Sequence, residues 1–96
     1  MPKIQNTGVA CNVAKSRFEL EEGGHTAFAD FFHQDGKMVV PHVEAPAALQ
    51  GTGAAGRLME GVVAHAREQG VKIVPTCSYA AAWLKRHPEH SDVVAS

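Results

Sequence analysis

The chain of 96 residues carries no surplus of charge of either sign: nine Lys and Arg face ten Asp and Glu, a net charge of −1. Nucleic acids and anionic membrane surfaces are held by clustered basic residues that neutralise phosphates. The only local cluster, Lys85-Arg86-His87, is too short for that, so neither nucleic acid nor membrane is expected as a partner. No apolar run approaches the roughly 18 residues of a membrane span. The N-terminal stretch MPKIQNTGVACNVAKS holds no apolar signal core, which gives the expectation of a cytoplasmic protein. Cysteine is scarce, with Cys11 and Cys77 alone, and without a secretion signal free thiols are expected rather than a bridge. Internal repeats, low-complexity stretches and room for a second domain are also absent. Residues 1–96 are read as one domain, burying somewhat over ~60% of the unfolded chain's surface.

What is present is a clear order of elements. Residues 1–15 show no periodicity and read as an arm or partial edge strand. From Arg17 to Glu21, Phe18 and Leu20 alternate with charged residues, the period-two signature of a half-buried strand. Glu22-Gly23-Gly24 reads as a turn. His25 to His33 is a second strand, with Ala27, Ala29 and Phe31 on one face and Phe28 and Phe32 on the other. Asp35-Gly36 is a tight-hairpin signal, and Met38 to Ala45 follows as a third strand. Pro41 lies inside it and has no N–H for the ladder, so an edge, a bulge or a splayed strand is required there. Ala54 to Gln69 carries apolar Ala55, Leu58, Met59, Val62, Val63 and Ala66, an amphipathic helical stripe stopped by Gly70. Val71 to Pro75 is a short strand, so a βαβ crossover is expected. Ser78 to His87 forms a second helix with Tyr79, Ala80, Trp83 and Leu84 inward, and Glu89 to Ser96 adds a helical turn.

Between the third strand and the first helix lies Gln50-Gly51-Thr52-Gly53-Ala54-Ala55-Gly56. A helix N-terminus presents unpaired N–H groups and partial positive charge, and glycines let a phosphate approach the backbone. Arg57-Leu58 follows where a Walker A loop needs Lys-Ser/Thr. Gly51, Gly53 and Gly56 fit the dinucleotide fingerprint, but Val74-Pro75-Thr76 offers no carboxylate for the ribose and the preceding strands form a meander. A plain turn rich in small residues is the bland alternative. A third pattern, Gln/Arg-x-x-Gly-x-Gly/Ala, is met by Gln50, Gly53 and Ala55.

On that pattern the sequence resembles the compact stand-alone members of the GNAT superfamily of N-acetyltransferases, which lack the usual N-terminal helices. The resemblance spans about Arg17 to Val94. It rests on Arg17-Phe18-Glu19-Leu20, Val40 to Pro46, the glycine loop, Pro75-Thr76-Cys77-Ser78-Tyr79 and His87-Pro88-Glu89. Pro41 departs from the usual strand residue, and Gln50 stands where Arg is usual. The resemblance implies a minimal GNAT fold of α/β (α+β) class: an antiparallel meander, a βαβ unit and a C-terminal helix. It implies acetyl-CoA or coenzyme A as cofactor, cradled by Gln50, Gly51, Thr52, Gly53, Ala54 and Ala55. The pantetheine arm would lie in a strand gap along Val43, Glu44 and Ala45, and Cys77 would lie near the cofactor thiol. The acceptor would be an amine of a small molecule or a peptide, reached from an open side, and the protein a monomer or weak homodimer.

Four side chains are candidates for the chemistry. His42 and Glu44 are two apart in a strand and share a face, suited to an acid–base pair; a polar solvent face is the plain alternative. Cys77, between a strand end and a helix start, has the setting of an activated thiol or of a small buried hydrophobe. It could take the acetyl group transiently or form a mixed disulfide with coenzyme A. Tyr79 is placed like GNAT residues that protonate the leaving thiolate, with packing against Trp83 one turn on as the alternative. The six histidines show no zinc-type spacing with a cysteine pair, so no metal is expected. A non-catalytic CoA or acyl-CoA binding module, or a thiol that forms CoA adducts, would keep the loop without needing Glu44 or Tyr79.

Overall fold

The computed structural model describes residues 3–4 and 8–95, with side chains from Gly8 onward. Among the described residues six strands form one sheet in chain order: β1 (Lys3–Ile4), β2 (Ala10–Asn12), β3 (Arg17–Glu22), β4 (His25–Gln34), β5 (Lys37–Glu44) and β6 (Lys72–Pro75). Every neighbouring pair is antiparallel except β5–β6. Helix α1 (Ala54–Gln69) makes the crossover, and α2 (Ser78–Lys85) follows β6. This is the expected meander followed by a βαβ unit.

The alternating pattern decides the sheet's two faces. Phe18, Leu20, Ala27, Ala29, Phe31, Met38 and Val40 are buried together with Leu58, Met59, Val62, Val63 and Ala66 of α1. Each of the larger side chains among them, Phe, Leu, Met or Val, contributes about 1.5–3 kcal/mol when withdrawn from water. The stripe on α1 is turned slightly from the expected one: Ala54 is buried and Ala55 only partly, and Gly61 is buried as well. The turn joining β4 to β5 has positive φ at both Asp35 and Gly36, the geometry that suits a two-residue hairpin.

Two segments refine the sequence-based expectation. Residues 1–2 and 5–7 lie outside the described ones; of the two readings of residues 1–15, an arm or a partial edge strand, the described remainder takes the strand. β1 and β2 extend the sheet, and Val9 and Cys11 enter the core. A three-residue strand is too short to show alternation, which is why its bounds were not legible. At the other end, α2 stops at Lys85, and Pro88–Val93 forms a 3-10 turn whose chain runs on to set Val94 beside Ile73. The Ala95 N–H donates to the Ile73 carbonyl at 2.8 Å, so the last residues shield the outer edge of β6.

Candidate functional site

Pro41 shapes the centre of the sheet. Between Asp30 and Phe32 of β4, β5 spends three steps from His42 to Val39 against two on its partner, a bulge at Val40 and Pro41. The parallel pairing of β5 with β6 ends at Val40↔Pro75, although β5 continues to Glu44. The Cys77 N–H still reaches the Val40 carbonyl at 3.1 Å. Beyond that point β5 keeps β4 on one side, through His42, Val43 and Glu44. On its other side the outward backbone groups have no strand to pair with. The expected gap is therefore present on that side of β5.

Beyond Glu44 the chain passes through a 3-10 turn, Ala47–Leu49, into the glycine turn. Gln50 folds back, its side-chain amide donating to the Ala45 carbonyl at 3.2 Å. Gly51 and Gly53 have φ of 79° and 85°, values that L side chains rarely adopt. The Thr52 N–H donates to the Leu49 carbonyl, and its hydroxyl accepts from the Ala54 N–H at 3.3 Å. Those two amides thus already have partners within the turn. The N–H groups of Ala55 and Gly56 lack a carbonyl one turn back, as first-turn helix residues do. The first turn of α1 thus keeps amide donors at Ala55 and Gly56 that an anion could meet.

His42 and Glu44 share the sheet face opposite α1, with Nε2 of His42 3.0 Å from Oε1 of Glu44 and both side chains about half exposed. Asp30 is directly across from His42 and Phe28 directly across from Glu44. The Phe28 ring centre is 5.9 Å from that of His42. Cys77 is the residue before α2, partly buried and unbridged. Tyr79 is half-buried, and burial raises its hydroxyl above the ordinary tyrosine value; the Arg86 charge opposes this and Cys77 adds to it. The hydroxyl therefore keeps its proton at neutral pH. Among the described residues no three His, Cys, Asp or Glu side chains are grouped to hold a metal.

One feature of the loop was not legible in the sequence. Arg57, on the first turn of α1, donates from Nε and Nη2 to both carboxylate oxygens of Glu22, at 2.8 and 2.7 Å. A Cβ on Gly53 would come within 3.0 Å of Arg57 Nη1. Glu22 ends β3, far away in sequence, and no local pattern links the two. A cavity of about 430 Å³ lies at the other end of α1, lined by Val13, Phe31, His33 and Gln69 among others. None of the candidate site residues lines it.

A family profile for GCN5-related N-acetyl-transferases matches residues 17–93. The chain belongs to that family. It is also similar to a GCN5-like candidate N-acetyltransferase from Staphylococcus aureus, whose solution structure was determined by NMR. That match has a TM-score of 0.67 and 25% identity, covering 96% of this chain and 91% of the other. The matched region starts with β3 and runs through the 3-10 turn, so it takes in the strand gap, the glycine turn and the start of α2. As a GCN5-related protein the chain has the fold and family of an acyl-transferring enzyme. No helix among the described residues is long and apolar enough to cross a membrane.

Proposed function

We propose that the protein is an N-acetyltransferase that moves an acetyl group from acetyl-CoA to an amine. The observation that carries this reading is the junction of the two features above: a parallel pair that parts at Val40↔Pro75, and a turn with positive φ at Gly51 and Gly53 that the same strand reaches through one short 3-10 turn. The open backbone edge at the end of β5, Val43 and Glu44, with Ala45 just beyond it, suits the amide-bearing pantetheine arm. The first turn of α1 suits a diphosphate, and a Cβ on Gly53 would be both strained and crowded. The residues present thus fit the cofactor that the family generally uses.

Bound acetyl-CoA would supply an acyl carbon on a sulfur leaving group. Glu44, with His42 beside it, would accept a proton from the acceptor nitrogen. A backbone N–H along Val43 to Ala45 would serve as donor to charge on the acyl oxygen. Tyr79, which keeps its proton at neutral pH, would be the proton donor to the thiolate leaving group. Cys77 stands just before α2, on the side of β5 where the parallel pairing ends.

The test is calorimetry with acetyl-CoA, CoA and NAD side by side, then an acceptor screen of peptide N-termini, lysine side chains and polyamines. Binding of the CoA species and not of NAD is expected. Glu44→Gln should keep acetyl-CoA affinity and lose roughly a hundredfold or more in turnover, the scale of a positioned base. Unchanged turnover would remove Glu44 as base and favour a CoA-binding module. Occupation of the turn by NAD alone would overturn the reading.

A further inference from the structure

The residue that usually opens the phosphate-binding pattern is turned away in this chain. Gln50 carries no charge, and its amide is engaged by the Ala45 carbonyl. The guanidinium that stands against the turn comes from the other end of the motif. Arg57 is half exposed, and Nη1 sits so close to Gly53 that no side chain could be added there without displacing it. Glu22 fixes the orientation of that group through a two-bond fork from the end of β3. A guanidinium has five N–H donors. The fork to Glu22 uses two of them, so both donors on Nη1 and one on Nη2 are left for another acceptor.

We propose that Arg57, oriented by Glu22, is the phosphate-binding cation of the glycine turn and takes the place that the uncharged Gln50 leaves vacant. The inference rests on the coenzyme A reading above. A free arginine side chain loses rotamer freedom when it clasps a phosphate. Here the carboxylate of Glu22 has already restricted the guanidinium before any ligand arrives, so less freedom is lost on binding. Glycine suits position 53 on two counts: its φ is positive, and a Cβ there would press on the guanidinium and force it to shift. Arg57 would recognise the phosphate-bearing nucleotide end of the ligand and not the acyl end. Its contribution should therefore vanish with a ligand that lacks phosphates.

The experiment is calorimetric titration of the full chain with acetyl-CoA and with S-acetylpantetheine, which has the thioester arm and no phosphate. Wild type, Arg57→Gln, Arg57→Lys and Glu22→Gln are compared at low and moderate salt. The expected result is a loss of about tenfold or more for acetyl-CoA in Arg57→Gln, the scale of a charge-assisted hydrogen bond. S-acetylpantetheine binding should be unchanged. Arg57→Lys should recover part of the affinity, and Glu22→Gln should lose a few-fold while keeping the steep salt dependence that Arg57→Gln lacks. Thermal melts accompany each variant; should Arg57→Gln not fold, Arg57→Lys and Glu22→Gln carry the same comparison. Equal acetyl-CoA affinity and salt dependence in wild type and the Arg57 variants would overturn the inference while leaving the coenzyme A reading intact. A wild type that binds no CoA species at all would overturn both.

Discussion

Cys11 and Cys77 are both unbridged, yet their surroundings separate them. Cys11 is 5% exposed in the core between β2 and α1, and burial raises its thiol above the ordinary cysteine value. Cys77 is partly open at the N-terminus of α2. The thiolate is the reactive form and must be reached by reagent. Brief iodoacetamide treatment at neutral pH should therefore modify Cys77 alone, with Cys11 reacting only once the chain is unfolded. Peptide mapping by mass spectrometry reads this directly, and early labelling of Cys11 would contradict the described core. Tyr79 provides a second residue-level expectation, because its raised hydroxyl remains a proton donor across the neutral range. Tyr79→Phe should leave acetyl-CoA affinity unchanged and lower turnover by roughly a hundredfold; equal turnover would leave Tyr79 with a packing role only. Of the candidate side chains, His42 and Glu44 were legible as a pair because a strand's two-residue repeat fixes their shared face. The Glu22–Arg57 fork was not, since its partners meet only after β3 and α1 are packed.

At the scale of elements, legibility followed burial on one face. β3 and β4 alternate because one side meets α1 and the other does not, the start of β5 is a continuous buried run of Met38, Val39 and Val40, and Pro41 marked the bulge through its missing donor. The bounds of β2 were not legible because a short strand with Val9 just before it shows no repeat. That strand is nevertheless held tightly. Gly61 lies in the middle of α1, where a Cβ would be 2.3 Å from the Cβ of Val9. Helix propensity alone would make alanine better than glycine by up to about 1 kcal/mol. The close approach should reverse that sign: Gly61→Ala is expected to destabilise the protein by about 1–3 kcal/mol, the range of core overpacking. Pairing it with Val9→Ala should recover much of the loss. Urea titration of the two single variants and the double variant measures the coupling, and a Gly61→Ala protein more stable than wild type would refute the contact.

Across the whole molecule, ion pairs add polar clips between elements that the hydrophobic core already packs together. Arg57–Glu22 fastens α1 to the end of β3, and Arg67–Asp92 fastens α1 to the C-terminal turn at 2.8 Å. Lys72 also donates to the Asp92 carbonyl. Within β3, Arg17 and Glu19 pair at 2.7 Å. In each case the guanidinium's hydrogen bond is the main cause holding the carboxyl below its ordinary value, for Glu19, Glu22 and Asp92 alike. A carboxyl with a depressed folded value stabilises the fold above its unfolded value, about 4. That contribution fades as the pH falls through the folded value, because the unfolded chain then binds the proton more readily. The melting temperature should accordingly be nearly flat from pH 7 to 5 and decline below about pH 4. Glu22→Gln combined with Asp92→Asn should melt slightly lower at neutral pH and show a shallower acid decline, since two of the three protonating groups are gone. Because these pairs are exposed, added salt should weaken them at neutral pH. A variant whose acid limb overlays that of wild type would show that the clips at Glu22 and Asp92 do not couple the helices and strands they join.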